Sequence, residues 1–223
     1  MAVGDWKRGE PVAHPVDEMV QLDFSKLDTA SKYKLLIGGI VPRPIALVST
    51  MDGKGVPNLA PFSFFNGVCS DPPCLVFSAG YQPDGGVKDT LANIRETGEF
   101  VVHTVSEWFL EPMHHTSANY GPEVNEIEMA GLTPIPSVCV KPFRIKESPV
   151  HFECKLEKLV GVGEPKSGAA TLIIGRIVMM HVFSEAYDNG KILHDKLKPI
   201  ARMGGRTYAE LGKIHDLHRP VVE

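Results

Sequence analysis

Positive charge is in deficit in this sequence. Its 23 lysines and arginines are outnumbered by 27 aspartates and glutamates, for a formal net charge of −4. That balance excludes the broad basic surface that holds a nucleic-acid backbone, though it leaves room for a local anion site. Cysteine is sparse too. The four, Cys69, Cys74, Cys139 and Cys154, form no C-x-x-C pair and stand at no zinc-finger spacing with histidine. In a chain of 223 residues they read as reduced core side chains rather than a disulfide framework. Long apolar runs are missing as well. The most apolar stretch, 171–183, is interrupted by Gly175, Arg176 and His181 and is too short to span a bilayer. After Met1 to Arg8 come Gly9-Glu10-Pro11 rather than an apolar leader core, so the chain reads as a soluble cytoplasmic protein. Two nucleotide fingerprints are absent. No Gly-x-Gly-x-x-Gly follows a strand, and in 161–167 Pro165 stands where a phosphate loop needs glycine before lysine.

Glycine (21) and proline (18) are plentiful, above the roughly 12% of average proteins, and they cut the chain into short pieces. A helical bundle is excluded on that ground. Residues 1–30 read as a polar arm, 31–212 as one domain and 213–223 as a tail. The run 45–50 is a strand, the Asp52-Gly53 turn sends 56–65 back beside it, and 74–78 is a further strand. Asp71-Pro72-Pro73 is expected to break the pairing, since two prolines remove two ladder donors. Val87, Leu91 and Ile94 recur at helical spacing, with Asp89 or Thr90 as cap and Gly98 as the stop. Residues 99–105 read as a strand, and 106–130 as a helical or irregular excursion and a candidate lid. Phe152, Cys154 and Leu156 alternate with Glu153, Lys155 and Glu157, which gives a strand with one wet face. Residues 171–183 are apolar on both parities, so both faces need cover, from the core and from a second layer or subunit. The sum is mainly β with a few helices, closed as a barrel.

No catalytic triad or carboxylate dyad stands out. Of the nine histidines, His114 and His115 are adjacent and diverge, and His215 and His218 lack supporting ligands, so no metal site is assigned.

One segment is distinctive: Gly39 to Thr50 with Pro42-Arg43-Pro44, then Asn58-Leu59-Ala60-Pro61-Phe62-Ser63-Phe64-Phe65-Asn66, then Ser70-Asp71-Pro72-Pro73. Lys88-Asp89-Thr90 with Asn93-Ile94, Gly98 to Val102 and Arg202 to Tyr208 follow in order. Over residues 33–212 this series resembles the flavin reductase-like family of FMN-binding split barrels. The resemblance implies a six-stranded Greek-key-like barrel, a homodimer, and FMN near the subunit interface.

On that resemblance Lys88, Thr90 and the start of the 89–97 helix would hold the FMN phosphate, with Asp89 better used as the helix cap. Arg43 is either a second cation or a brace for the neighbouring strand or the dimer. Ser49, Thr50, Asn58 and Ser63 are placed for the ribityl chain and ring edge, and Ala60, Pro61 and Phe64 for the ring face. Ser49 and Thr50 read equally as turn residues, and Lys88 as a solvated lysine. Arg202 either reaches the site or, with Tyr208, ties a last helix to the barrel. His194 is the candidate near the ring or nicotinamide, with a surface position as its alternative.

The activity implied is that of NAD(P)H:flavin reductases, with hydride passing from NADH or NADPH to flavin N5. Reduced flavin would go to a monooxygenase partner or another acceptor. The alternatives are an electron-carrier flavoprotein reduced by a protein, and a split barrel holding haem or pyridoxal phosphate.

Overall fold

The computed structural model describes residues 6–13, 15–16, 18–82, 84–118 and 126–221. Tyr120-Gly121-Pro122, within the 106–130 excursion, lie outside the described residues.

Seven strands form one antiparallel sheet: β1 (Ala46–Met51), β2 (Pro57–Phe62), β3 (Phe65–Ser70), β4 (Pro73–Gly80), β5 (Glu99–Thr104), β6 (Val150–Val162) and β7 (Ala170–Val182). Their order across the sheet is β2-β1-β5-β6-β7-β4-β3. The two outermost strands, β2 and β3, are joined by Ser63 and Phe64 alone. A flat sheet would separate its edges by roughly 29 Å at about 4.8 Å per strand, whereas this link spans at most roughly 11 Å. The sheet therefore has to roll up. Phe62 at the end of β2 meets Phe77 of β4 with ring centroids 5.0 Å apart, and Phe77 meets Phe100 of β5 at 5.6 Å. Seven strands rather than six arise because the bend at Ser63-Phe64 divides one long strand into two.

The interior is filled by Ala46 and Val48 of β1, Leu75 and Phe77 of β4, Phe100 and Val102 of β5, Cys154 of β6 and Ile173 of β7. Helix α2 (Asp89–Thr97) plugs one end with Leu91 and Ile94, the residues whose spacing marks it in the sequence. Gly98 ends it in the left-handed conformation at φ 69°. Its N-cap is Lys88, one residue ahead of the expected Asp89 or Thr90. The outward side chains Leu47 of β1 and Leu59 of β2, with Ile45 just before β1, are buried together with Phe109, Met113, Ile127, Phe143 and Ile145. Among its described residues the 106–130 excursion is thus mostly an outer layer on β1 and β2.

Helix α1 (Thr29–Gly39) opens on Asp28, whose carboxylate accepts from the Ser31 N–H at 2.9 Å. Pairing does not break at Asp71-Pro72-Pro73. Asp71 and Pro72 make a two-residue turn and β3 pairs straight back on β4, Ser70 opposite Pro73. Pro73 is tolerated because it is the first residue of its strand. On β7, Thr171, Ile173 and Gly175 face inward and are buried, while Leu172, Ile174 and Val178 remain half-exposed and Met180 exposed in the single chain.

The expected wet face of β6 has an exception. Lys155 and Glu157 are exposed, but Glu153 is wholly buried. Its carboxylate accepts from the Val138 and Cys139 N–H groups at 2.9 and 2.5 Å and lies 2.7 Å from His181 Nε2. Burial pushes this carboxyl up, but the two main-chain donors and His181 outweigh it, and the net shift is downward.

Gly175 has a packing reason. A Cβ there would overlap the end of the Phe100 ring, which is itself fully buried. Gly175→Ala is expected to lower the unfolding free energy by about 1–3 kcal/mol in a urea titration, the usual cost of overpacking. A midpoint equal to that of the unaltered chain would overturn the packing argument.

Candidate functional site

One groove runs along the mouth of the barrel between α1 and the start of α2. Pro61 lies at its centre and is common to three connected stretches. The middle stretch encloses about 590 Å³, within the ~300–1,000 Å³ of small-molecule sites. Pro61, Phe62, Ser63 and Phe64 form its floor, Tyr33 of α1 and Tyr81 its sides, and Lys88 one end. The narrowest stretch, about 190 Å³, leads past Arg43 to Arg202, Gly205 and Tyr208. The third, about 480 Å³, runs from Lys88 over Asp89 and Thr90 to Asn58, Ala60 and Glu126, and Thr116 and Ser117 also line it.

The electrostatics differ from end to end. At the Lys88 end, α2 begins without a side-chain cap. The Leu91 and Ala92 N–H groups bond to the Lys88 carbonyl, and the N–H groups of Asp89 and Thr90, two residues that line the groove, have no partner within the helix. The ammonium of Lys88 sits 5.8 Å from the Phe62 ring centroid. A cation beside an open helix N-terminus fits an anionic group. Beyond it lie Asp89 and Glu126, and burial followed by the charge of Asp89 pushes the Glu126 carboxyl up toward its neutral form. At the far end Arg202 donates to the Tyr208 hydroxyl and, at 2.7 Å, to the Gly205 carbonyl. His114 Nδ1 lies 2.9 Å from the same hydroxyl.

A model of the flavin reductase like domain matches residues 38–201, which include the groove floor, Lys88 and α2. The chain belongs to the flavin reductase-like family. Nitrilotriacetate monooxygenase component B from Bacillus cereus is 39% identical, with a TM-score of 0.87 over 91% of this chain and 100% of that one. The 2-nitrobenzoate 2-nitroreductase NbaA of Pseudomonas fluorescens is 32% identical, with a TM-score of 0.81 over 90% of this chain and 96% of that one. A Shewanella frigidimarina NCIMB 400 protein assigned as a flavin reductase with a split barrel domain shares the fold at a TM-score of 0.77 and 24% identity, covering 88% and 96% of the two chains. The rolled sheet is therefore a split barrel, and membership indicates a flavin-binding oxidoreductase.

Within this flavin reductase-like chain the residues singled out from sequence separate into three groups. Asn58, Ala60, Pro61, Ser63, Phe64, Lys88, Asp89 and Thr90 line the groove. Arg43 and Arg202 also line it, but each is engaged with protein: Arg43 holds the carbonyls of Ile37, Ile40 and Met203, and Arg202 holds Tyr208 and Gly205. The tie runs between strands rather than to a last helix, because Ile200–Arg202 pairs with both Arg43–Pro44 and Tyr208–Glu210. Ser49 and Thr50 do not reach the groove. Both are fully buried on β1; Ser49 donates to the Phe143 carbonyl at 2.5 Å, and Thr50 accepts from Asn58 and Asn93 at 3.2 and 3.1 Å. Asn58 also donates to Thr90 at 2.9 Å, so this network fixes α2 against β1 and β2 and sets the position of its N-terminus.

His194 stands in a separate depression with Glu107, Lys198 and Glu210, and the single chain does not bring it to the groove. Several lining residues carry no local signal in the sequence. Tyr33 lies in an ambiguous short run, Tyr81 just after a strand. Ser167 ends the 161–167 stretch that fails as a phosphate loop, and Gly168 follows it. Residues 163–169 form the turn between β6 and β7. Gly168, at φ +93°, lets it approach Thr29 of α1 where a Cβ would collide with the Thr29 methyl.

Proposed function

We propose that the groove binds FMN and that the protein is an NAD(P)H-dependent flavin oxidoreductase. The observation that carries this reading is the continuity of three environments along one groove: a cation at an uncapped helix start, an apolar floor, and a polar far end. FMN, when bound, supplies the redox chemistry, accepting hydride at N5 from the nicotinamide of NADH or NADPH.

The chain's own residues do the holding. Lys88 offers a point charge and α2 its free N–H groups to a phosphate. Pro61 and Phe64 present an apolar face, Phe64 being 40% exposed and thus open to a ring. Ser63 offers a hydroxyl and Asn58, its amide N–H groups given to Thr50 and Thr90, offers its amide oxygen to the polar chain. Hydride transfer calls for positioning rather than a nucleophile or an acid–base pair, in keeping with the lining. The half-exposed outer parity of β7 supports a homodimer, a second copy supplying the missing cover. The B. cereus relative supports delivery of reduced flavin to a monooxygenase partner.

Purified protein mixed with FMN is expected to show a bound-flavin spectrum that NADH or NADPH bleaches anaerobically at turnover rates. Failure to bind FMN overturns the reading. Bound flavin that neither nicotinamide bleaches transfers the assignment to an electron carrier reduced by a protein. Lys88→Ala is expected to weaken FMN about tenfold, about 1.4 kcal/mol, and to leave riboflavin affinity unchanged. Equal losses for the two ligands would remove Lys88 from the phosphate.

A further inference from the structure

The sequence reading makes all four cysteines core residues, and for Cys74 and Cys154 that is how they are placed. Cys69 and Cys139 are exposed. The departure matters at Cys69, because β3 and β4 place it directly opposite Cys74 in the antiparallel register. Opposed antiparallel residues have Cα atoms about 4.5–5.5 Å apart, and a disulfide needs about 4.4–6.8 Å. Directly opposed residues share one face, and the Cys69 thiol is near enough to push the Cys74 thiol pKa up. Cys69 Sγ also lies 3.0 Å from the Pro72 carbonyl in the turn that closes the hairpin. β3 is an edge strand of the sheet, exposed along most of its length, so small adjustments of Cys69 meet no packed layer.

We infer that Cys69 and Cys74 form a reversible dithiol–disulfide pair, a two-electron modification site at the closed end of the β3–β4 hairpin. The surroundings divide the roles. Cys69 is open to solvent and meets the oxidant first. Cys74 is only 5% exposed, and burial followed by the neighbouring Cys69 pushes its thiol pKa up, while Arg176, opposite it on β7, acts the other way. Cys74 is thus shielded from outside reagents but within reach of Cys69. Cys154, behind it in the core, is wholly buried, and burial pushes its thiol up further.

The oxidant is a low-molecular-weight disulfide. The Cys69 thiolate attacks one of its sulfurs, a bond forms to Cys69, and the other half leaves as a thiolate. The Cys74 thiolate then attacks the Cys69 sulfur and expels the second half. Two cysteine thiols are oxidised to one disulfide, the small disulfide is reduced to two thiols, and the two cysteine protons end on the departing thiolates. Because the second step needs the Cys74 thiolate, closure accelerates as pH rises. The inference uses no flavin and stands apart from the function proposed for the groove.

Full-length protein equilibrated with glutathione at increasing oxidised-to-reduced ratios, then alkylated and mapped by mass spectrometry, tests it. The expected result is loss of two alkylatable thiols at Cys69 and Cys74, a chain lighter by two hydrogens, and full reversal by dithiothreitol. Cys139, which has no cysteine opposite it, stops at a mixed disulfide with glutathione. Cys74→Ser is expected to arrest at a glutathione adduct on Cys69. Cys69→Ser, an exposed change that leaves the core intact, is expected to keep Cys74 reduced throughout. A persistent glutathione adduct on Cys69 of the unaltered chain, or two free thiols at the most oxidising ratio, would overturn the pair.

Discussion

Urea titration at about pH 4.5 is expected to give an unfolding free energy about 5 kcal/mol below that at about pH 8. Two buried histidines carry the effect. Burial first, then the charge of His151, pushes His103 down to about 3. Burial, then Arg144, pushes His151 down to about 4, with His181 adding to the shift and the nearby main chain of Ile145 and Ser148 opposing it. Both rings are neutral in the folded protein where the unfolded chain, with the ordinary 6.5, would be protonated. The unfolded state therefore binds more protons below pH 6.5. The stability these rings contribute is complete above that value and is lost as pH falls toward 4 and 3. Each ring contributes a slope of about 1.4 kcal/mol per pH unit in that window. Glu153 has a lowered pKa, so it stays ionised through most of this window and surrenders its contribution only in stronger acid. The two rings differ in what holds them. His103 Nδ1 is 2.8 Å from the Leu47 carbonyl and its Nε2 accepts from the Ile145 N–H at 3.0 Å, whereas neither nitrogen of His151 has a partner within hydrogen-bond geometry. His151→Leu should thus cost little at pH 8, since it removes two unpaired polar atoms from the core, and should halve the acid slope. A slope unchanged in His151→Leu would refute the assignment.

How much of this was legible beforehand depends on the range of the contacts involved. Strand β1, its partner across Asp52-Gly53 and helix α2 rest on signals a few residues apart; β1 and α2 stand within one residue of where the pattern puts them, while the partner ends at Phe62, three residues short, where the bend at Ser63-Phe64 begins β3. Pro61, Ser63 and Phe64 of the groove floor were legible through the family resemblance, whereas Phe62 between them reads as a core residue. What failed depended on partners distant in sequence. Alternation sets Glu153 beside Lys155 and Glu157 on the wet face, but the N–H groups of 138 and 139 fold over it and draw it in. Ser49 and Thr50 look available at a strand end. On a strand covered on both faces, however, each points into protein. Asp71-Pro72-Pro73 loses ladder donors as expected, yet only at a turn, where none was needed. The chemistry of Cys69 depended on a hairpin register that cannot be read while the prolines are taken as a break.

Arg43→Ala is expected to lower the unfolding free energy by on the order of 4 kcal/mol and to open the narrow end of the groove. Arg43 is 4% exposed, and its guanidinium donates to the carbonyls of Ile37 and Ile40 at 2.6 Å each and of Met203 at 2.8 Å. Two of these belong to the end of α1, where the helix dipole favours a cation. The third lies 160 residues away. One side chain thus joins the end of α1 to the strand pair that carries Arg202. Hydrogen bonds from a charged donor contribute about 1.5–3 kcal/mol each. Their loss is partly offset as water reaches Ile40 and Met203, which are less buried than Ile37, and the total falls below the sum. Arg43→Lys is expected to recover less than half of the loss, because one ammonium cannot reproduce a planar fork that serves two separate elements. Because Arg43, Arg202 and Tyr208 share the narrow end of the groove, FMN affinity should fall with stability in Arg43→Ala. In Arg202→Ala, whose guanidinium is half-exposed and braces only Tyr208 and Gly205, affinity should fall while stability changes little. A stability change below about 1 kcal/mol in Arg43→Ala, within the range of ordinary surface substitutions, would show that α1 is held by its own packing and not by this brace.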